Sequence, residues 1–251
     1  INKFSSNGIK VVVSDEKIIT LCNDKWETFC FLRNHGINVP STYINITEAK
    51  KAIETGQIKY PIIIKPRWGM GSIGIFEAEN EEELELFYKK TMKKVFSSYL
   101  KFESKKTEKE SVIFQQKIDG FEYGLDILND FNGKYAGSVA KKKINMRAGE
   151  TDIAEIVQIP YLETLAKDLS NTVKHIGNLD VDVFILPNRE YCVLELNCRF
   201  GGQYPFSHLS GVDFPKQIIN WLEGNKNDIK LLTVKKLITA CKDLVPEIIY
   251  E

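Results

Sequence analysis

The stretch Tyr191-Cys192-Val193-Leu194-Glu195-Leu196-Asn197-Cys198-Arg199-Phe200-Gly201-Gly202 decides the fold. Side chains of a β-strand alternate between its two faces, so the stretch predicts an apolar face and a polar one. The alternation assigns the apolar face to Cys192, Leu194, Leu196 and Cys198, and the polar face to Val193, Glu195, Asn197 and Arg199. The carboxylate and amide oxygens on the polar face are hard ligands of the kind that suit Mg²⁺. An amphipathic strand with a solvated polar face is the alternative interpretation.

A second strand, predicted over 179–186, favours the metal. Its alternate residues from Leu179 to Ile185 are apolar, and Asp182 points to the opposite face. The turn sequence at 187–190 predicts an antiparallel hairpin with the first strand, which brings Asp182 towards Glu195 and Asn197. Burying carboxylates together costs several kcal/mol for each charge unless a cation compensates. The sequence therefore predicts a divalent-metal site at Asp182, Glu195 and Asn197.

Composition limits the classes of partner and compartment. The 251 residues include 34 basic and 34 acidic side chains, so no net field attracts nucleic acid or an anionic membrane. No run of about 18 apolar residues and no secretory signal is visible, and we predict a cytoplasmic protein. The five cysteines, never in C-x-x-C spacing, indicate buried thiols rather than zinc ligands or disulfides. The chain begins with Ile1, and residues 1–23, with a predicted strand at 9–13, are interpreted as the remnant of an upstream domain.

A second motif combines a lysine with a glycine-rich loop. A buried strand predicted over 60–66 contains Lys65, and the loop that follows carries Gly69, Gly71, Ser72 and Gly74. Glycines let backbone N–H groups approach an anion, and the lysine adds a positive charge. The P-loop pattern is absent because the lysine precedes the glycines. The functional interpretation is that this loop forms a lid over a triphosphate, and the structural alternative is that it is a plain hairpin turn.

Several further patterns carry weaker signals. Glu122, after a predicted strand and turn at 111–120, is either a ligand for vicinal hydroxyls or an exposed surface residue. Lys141 and Lys143 share a strand face, which indicates a cationic site or a solvated edge strand. The charged stretch 101–110 predicts a mobile surface loop. His35 and His175 are interpreted as structural residues at helix ends. Antiparallel hairpins without regular βαβ alternation indicate an α+β fold.

Together these motifs resemble the ATP-grasp superfamily, most closely its carbamoyl-phosphate-synthase-like and carboxylate-amine ligase branches. The motifs follow the family's order, from the Asp24-Lys25 helix start through the lysine strand with its glycine loop to the Gly149-Glu150-Thr151 segment and the metal strand. The resemblance implies two α+β lobes with antiparallel sheets that sandwich ATP. We expect a small lobe at 24–116 and a large one at 117–251.

The resemblance also implies roles for individual residues. The expected nucleotide ligands are Lys25, Lys65, the loop residues Gly69, Gly71, Ser72 and Gly74, the adenine hinge Gln116, Lys117 and Ile118, and Glu122 for the ribose. Mg²⁺, with Mn²⁺ as an alternative, is expected at Asp182, Glu195 and Asn197. Arg199, with Lys143 or Arg147, is expected to face the γ-phosphate or the substrate. Two positions depart from the family pattern: Gln116 replaces a frequent glutamate, and Asp180 replaces an arginine found in some ligases.

The implied chemistry is transfer of the γ-phosphoryl group of ATP to a carboxylate, followed by attack of an amine on the acyl phosphate. Small-molecule carboxylate and amine substrates are therefore the expected partners. A carbamoyl-phosphate-synthase-like activity on bicarbonate is one alternative, and a non-catalytic ATP-binding subunit or regulator is another. A homo-oligomer and a separate catalytic subunit both remain open, and the substrates cannot be read from the residues.

Overall fold

The computed structural model describes residues 2–69 and 72–243, which form two antiparallel sheets. The four-stranded sheet has the order β1-β4-β2-β3, and the six-stranded sheet has the order β10-β7-β6-β5-β8-β9. The strands are β1 Thr42–Tyr43, β2 Ile62–Pro66, β3 Phe76–Ala78, β4 Val112–Gln116, β5 Phe121–Asn129, β6 Tyr135–Arg147, β7 Glu150–Val157, β8 Gly177–Ile185, β9 Tyr191–Asn197 and β10 Thr239–Cys241. This arrangement confirms the α+β class predicted from the sequence.

Helices flank both sheets. They are α1 Asn2–Ser5, α2 Glu16–Asn23, α3 Lys25–Asn34, α4 Ile46–Glu54, α5 Glu81–Phe96, α6 Lys101–Ser104, a 3₁₀ helix Lys105–Glu110, α7 Pro160–Val173, α8 Tyr204–Leu209, α9 Phe214–Leu222 and α10 Ile229–Leu232. Within the described ranges, no helix combines the length and the apolarity that a membrane span requires.

The small sheet packs its apolar face on α4 and α5. Ile62 and Ile64 of β2 are fully buried there against Leu84 of α5. Asn80 caps α5 by accepting a hydrogen bond from the Glu83 amide at 3.0 Å, as the capping-box pattern predicts. This packing leaves Lys65 on the opposite face of β2, which is turned towards the large sheet.

The large sheet has its main core on the face covered by α7, α2 and α3. Val181 and Val183 of β8 pack with Leu165 of α7, while Cys22 of α2 and Leu32 of α3 fill the edge of the same cluster. Because successive side chains of a strand point to opposite faces, Asp182, between Val181 and Val183, points to the other face of the sheet. That face carries the polar residues singled out in the sequence.

Two local predictions are wrong, and one alternative interpretation is excluded. Residues 9–13 form no strand, and Ile9, Val11 and Val12 are exposed. The stretch 101–110 is helical rather than a loop. β6 lies inside the sheet, between β5 and β7, so Lys141 and Lys143 are not on an edge.

The histidine interpretations agree with the structure. His35 is the C-cap residue of α3. His175 follows the end of α7, is fully buried and contacts the Ile127 carbonyl through Nε2 at 3.0 Å. Burial lowers the pKa of His175 to about 4, so the ring is neutral near pH 7.

A β-bulge at Leu194 changes the predicted faces of β9. Asp182 pairs with Glu195, but Val183 pairs with Val193, so Leu194 is an extra residue in β9. Glu195 and Asn197 keep the predicted face. Before the bulge the alternation reverses, which puts Val193 in the core and turns Leu194 towards a cavity.

The boundary between the proposed lobes stays a prediction. The connection from β4 to β5, residues 117–120, joins the two sheets close to the expected boundary at 116. Helices α2 and α3 precede the small sheet in the chain, yet Cys22 and Leu32 belong to the core beside the large sheet.

A buried ion pair joins the start of α3 to the end of β2. Asp24 accepts the Trp26 amide at the N-terminus of α3 and pairs with Arg67 Nε at 2.8 and 2.9 Å. Asp24 is 4% exposed and Arg67 is 7% exposed. The pair therefore fixes Lys25, the next residue, relative to β2.

We expect Asp24→Asn to reduce the free energy of unfolding by about 3 kcal/mol, because the substitution removes the buried partner of the Arg67 guanidinium. The remaining partners, Glu27 at 3.5 Å and Glu110 at 3.4 Å, are more distant and more exposed. Glu77→Gln is the matched control, since it breaks the exposed Lys117–Glu77 pair and should cost less than about 1 kcal/mol. Urea denaturation measures both. Equal losses for the two variants would contradict the structural importance of the buried pair.

Candidate functional site

A cavity of about 490 Å³ lies between the inner faces of the two sheets. The small sheet and its loop contribute one wall, and the polar face of the large sheet contributes the other. The lining residues include Lys25, Lys65, Trp68, Gly69, Ser72, Ile75, Glu122, Lys143, Met146, Gly149, Glu150, Thr151, Asp180, Asp182, Leu194, Glu195, Asn197, Arg199, Gly202 and Gln203. Lysines and carboxylates dominate its charged groups.

The β8–β9 hairpin brings the three predicted metal ligands together. Asp182 lies directly opposite Glu195, and Asn197 lies opposite Asp180, two pairs further along the hairpin. All three side chains line the cavity. The geometry is therefore consistent with the sequence prediction that these residues share one site, and their role as metal ligands stays a prediction.

Two lysines face the carboxylates. Lys143 Nζ lies 2.6 Å from Asp182 Oδ1 and 2.6 Å from Glu122 Oε1, so it bridges two acidic side chains. Lys25 Nζ lies 3.2 Å from Glu195 Oε1 and donates a hydrogen bond to the Gly69 carbonyl at 2.6 Å. These contacts offset the cost of gathering carboxylates in a cavity.

Lys65 reaches the same cavity from the small sheet. It is 5% exposed, and its Nζ donates a hydrogen bond to Gln115 Oε1 at 2.8 Å. Gln115 in turn donates to the Thr42 hydroxyl at 2.9 Å, which fixes the amide orientation. Burial lowers the pKa of Lys65 to about 8, although the charge of Glu195 partly restores it. An anion that entered the cavity would favour the charged form of this lysine.

The environment shifts the pKa values of the carboxylates in opposite directions. Burial tends to raise the pKa of Glu195, but Lys25 and Lys65 outweigh it and hold the pKa below its usual range. Burial raises the pKa of Asp182, and the charges of Glu122 and Glu195 add to the effect while Lys143 opposes it. A cation at this position would stabilise the ionised form of Asp182.

Gln203 and Asp180 form a polar cluster that sequence reasoning missed. Gln203 Nε2 donates to Asp180 Oδ1 at 2.6 Å and to Asp182 Oδ1 at 3.3 Å. Arg199 Nη1 lies 3.8 Å from Asp180 Oδ2. Burial raises the pKa of Asp180 to about 7, helped by the charges of Asp182 and Asp126. A glycine inside β5, Gly124, was the available signal, because such a glycine often marks the close approach of another group.

The glycine loop only partly lines the cavity. Gly69 and Ser72 are lining residues, whereas Gly74 packs against Pro66 and Lys94. Gly69 has a φ of 121°, which an L-residue rarely adopts, and a side chain there would meet Leu100. Gly71 lies outside the residues that the structure describes.

The predicted hinge and one predicted catalytic residue lie away from the lining. Gln116 binds the backbone of Lys59 through its side chain, and Lys117 pairs with Glu77 at 2.5 Å. Ile118 is half-buried in the connection between the sheets. Arg147 pairs with Asp152 at 2.6 Å and is not among the lining residues, so the structure brings Lys143 and Arg199 to the cavity without Arg147.

The donor set at the hairpin fits a magnesium ion. Among the described residues, no cluster of three or more His, Cys, Asp or Glu side chains is suited to a metal. The candidate donors at the hairpin are two carboxylates and one amide. Mg²⁺ is commonly held by one or two carboxylates, with water and phosphate oxygens completing its shell. Asp182, Glu195 and Asn197 line the cavity and could supply such a partial shell, and their role as metal ligands stays a prediction.

We expect Gly124→Ala to disturb the polar cluster, because its added Cβ would lie 1.8 Å from Gln203 Oε1. The variant should lose about 1–3 kcal/mol of unfolding free energy through overpacking. Gly137→Ala in the neighbouring strand is the control, since its nearest neighbour would be at 3.4 Å. Thermal unfolding compares them, and an equally stable Gly124→Ala protein would contradict the close approach of Gln203.

Comparison with known proteins assigns the family. An ATP-grasp domain model matches residues 22–203. Carbamoyl phosphate synthase large chain of Campylobacter jejuni is 22% identical over 94% of this chain and 22% of its own length. The α-aminoadipate–LysW ligase LysX of Sulfurisphaera tokodaii is 25% identical over 74% of this chain and 62% of its own. This chain thus spans about a fifth of the first relative and about three fifths of the second.

The fold agrees with this assignment. The biotin carboxylase domain of 2-oxoglutarate carboxylase from Hydrogenobacter thermophilus, solved with MgADP and bicarbonate, superimposes with a TM-score of 0.74 at 18% identity. The match covers 90% of this chain and 51% of that chain. The ATP-grasp domain model matches most of the chain, and the structure has two antiparallel sheets around a charged cavity. This chain therefore belongs to the ATP-grasp domain family.

Proposed function

We propose that the chain binds Mg-ATP in the cavity between its sheets and acts as an ADP-forming carboxylate-amine ligase. The observation that carries the proposal is the meeting of two carboxylates and an amide on β8 and β9 with Lys25, Lys65 and Lys143. This arrangement combines donors for a divalent cation with positive charges for a phosphate chain. Membership of the ATP-grasp family supports the same reaction class.

In the proposed complex the phosphates lie between the two sheets. Lys65 and Lys25 bind the α- and β-phosphates, and the loop 69–74 covers them with backbone N–H groups. The backbone of the hinge, residues 116–118, reads the adenine, and Glu122 accepts hydrogen bonds from the ribose hydroxyls. Since Lys143 contacts Glu122 in the structure, ribose binding would compete with that ion pair.

Asp182, Glu195 and Asn197 would hold Mg²⁺. When bound, the ion neutralises the charge that develops on the transferring phosphoryl group. Lys143 and Arg199 stabilise the same charge from the protein and orient the carboxylate substrate for in-line attack. The carboxylate takes the γ-phosphoryl group, ADP leaves, and the amine displaces phosphate from the acyl phosphate. The chain's part in this reaction is positioning and electrostatic stabilisation, without a protein nucleophile.

The proposal also includes the lobes at 24–116 and 117–251, with the nucleotide between them. A carbamoyl-phosphate-synthase-like reaction on bicarbonate is the second candidate. The relative named carbamoyl phosphate synthase large chain and the structure solved with bicarbonate favour it. Both candidates begin with the same phosphoryl transfer to a carboxylate, with bicarbonate as the acceptor in the second, where the carbamate formed takes another phosphoryl group from a second ATP.

Measurement of ADP release with Mg-ATP tests the proposal. The chain is assayed over a grid that crosses bicarbonate and other carboxylates with ammonia, amino acids and other amines. Stimulation by one carboxylate and amine together supports the ligase and identifies its substrates. Stimulation by bicarbonate alone supports the second candidate, and a flat grid despite Mg-dependent ATP binding would contradict both in favour of a non-catalytic nucleotide-binding protein.

We expect Glu195→Gln to reduce turnover at least about 100-fold, because the substitution removes a charged metal ligand whose effect is greatest in the transition state. Lys65→Ala should weaken ATP binding more than Glu195→Gln does, since Lys65 faces the phosphates directly. Glu190→Gln, in the exposed turn before β9, is the control and should match the unaltered protein. Calorimetric ATP binding and ADP release separate the effects, and unchanged release by Glu195→Gln would refute the metal assignment.

A further inference from the structure

A row of hydrogen bonds crosses the inner face of the small sheet. Lys65 Nζ donates to Gln115 Oε1 at 2.8 Å, and Gln115 Nε2 donates to Thr42 Oγ1 at 2.9 Å. Thr42 Oγ1 in turn donates to the Pro40 carbonyl at 2.8 Å. Lys65 and Gln115 are each 5% exposed, and Thr42 is 4% exposed. These four residues, which we call the Lys65 relay, connect the cavity to the edge strand β1.

The register of the small sheet explains why these side chains meet. Gln115 of β4 lies opposite Thr42 of β1 on one side and opposite Ile63 of β2 on the other. Opposite residues of neighbouring strands share a face of the sheet, and Lys65 shares the face of Ile63 because it lies two residues further along β2. Thr42, Gln115 and Lys65 therefore lie on one face, across the adjacent strands β1, β4 and β2.

The two ends of the Lys65 relay fix the direction of every hydrogen bond in it. A lysine ammonium can only donate, and a backbone carbonyl can only accept. Because the Thr42 hydroxyl gives its single proton to the Pro40 carbonyl, its oxygen accepts from the Gln115 amide. Gln115 Nε2 must then face Thr42, which leaves Oε1 for Lys65. The Pro40 carbonyl thus determines which end of the Gln115 amide faces the lysine.

The partner of Lys65 differs in charge from the partners of the other cavity lysines. Lys25 and Lys143 each lie within 3.2 Å of a carboxylate oxygen. Lys65 donates instead to the neutral oxygen of Gln115. A neutral acceptor fixes the direction of the ammonium group without cancelling its charge, as an adjacent carboxylate would. The charge of Lys65 therefore stays available for a phosphate that enters the cavity.

We propose that Thr42 and Gln115 are positioning residues that hold the Lys65 ammonium towards the phosphate chain of a nucleotide in the cavity. This inference rests on the proposed function, which assigns the α- and β-phosphates to Lys65. Neither Thr42 nor Gln115 is among the residues that line the cavity, so both act through the lysine. Without the Thr42 hydroxyl, the Gln115 amide can rotate and present its Nε2 donor to Lys65, which turns the ammonium away from the phosphates.

Calorimetric binding of Mg-ATP and of adenosine tests the proposal. Thr42→Val keeps a similar shape and removes the hydroxyl, so the affinity for Mg-ATP should fall about tenfold, the effect of one buried hydrogen-bonding group left unsatisfied. Adenosine has no phosphates, and its affinity should not change. Thr42→Ser restores the hydroxyl and should restore ATP binding. Equal weakening of ATP and adenosine binding by Thr42→Val would overturn the proposal, because it would indicate a distorted β4 beside the hinge at 116–118.

A double-mutant cycle tests whether Thr42 acts through Gln115. Gln115→Met removes both the acceptor for Lys65 and the donor to Thr42, and it should weaken ATP binding by a factor similar to that of Thr42→Val. Addition of Thr42→Val to Gln115→Met should cause no further loss of ATP affinity, because the link that it breaks is already absent. Losses that multiply in the double variant would overturn the relay. If Thr42→Val does not fold, the comparison of ATP with adenosine in Gln115→Met decides the same question.

Ser170→Ala is the matched control. Ser170 is fully buried on α7 and donates a hydrogen bond to Asn129 Oδ1 at 2.7 Å, so this variant also loses a buried hydroxyl group. It should leave ATP affinity unchanged. If the unaltered chain binds ATP and both Thr42→Val and Gln115→Met bind it equally well, the positioning role is overturned and the proposed function is not. Absence of ATP binding by the unaltered chain would refute the proposed function and the positioning role together.

Discussion

Compensation of buried charge is the constraint on which the rest of the structure depends. Carboxylates of Asp182, Glu195 and Glu122 face one cavity, where gathering several negative charges is costly without nearby cations. Lys143 bridges two of them, and Lys25 pairs with the third. These pairs lie on the large-sheet side of the cavity, and the buried Asp24–Arg67 pair joins α3 on that side to the end of β2.

The same arrangement prepares the cavity for a ligand of mixed charge. Lys65 is buried with a lowered pKa and has only a neutral hydrogen-bond partner, Gln115. Asp182 is half-buried, and its pKa is raised although Lys143 contacts it. A bound phosphate chain would stabilise the charged lysine, and a bound cation would stabilise the charged carboxylate. Mg-ATP provides both in one ligand, which is why the geometry supports the proposed function.

The sequence predicted the parts of this site that depend on local patterns. The turn at 187–190 between two alternating strands was sufficient to predict the hairpin, and the hairpin was sufficient to place Asp182 near Glu195. The bulge at Leu194 could not be predicted, because a strict two-residue period has no place for an extra residue. Its effect was confined to the residues before Glu195, so the predicted ligand positions were unaffected.

Other features depended on contacts between residues far apart in the sequence. Gln203 reaches Asp180 and Asp182 only because α8 begins beside β5, where Gly124 leaves room for its side chain. The charged stretch 101–110 gave no apolar periodicity, yet it forms two short helical turns with Ser104 buried. Arg147 shares a strand with Lys143, but its side chain pairs with Asp152, whereas its neighbour Met146 lines the cavity. No local pattern distinguishes these outcomes.

The measurement that tests the central claim most directly is calorimetric titration of ATP into the full chain, with and without Mg²⁺. The account predicts one binding site that is markedly tighter with Mg²⁺, because the carboxylates at 182 and 195 accept the phosphate chain only together with a cation. Absence of ATP binding in the presence of Mg²⁺, or binding that is indifferent to the ion, would contradict the assignment of this cavity.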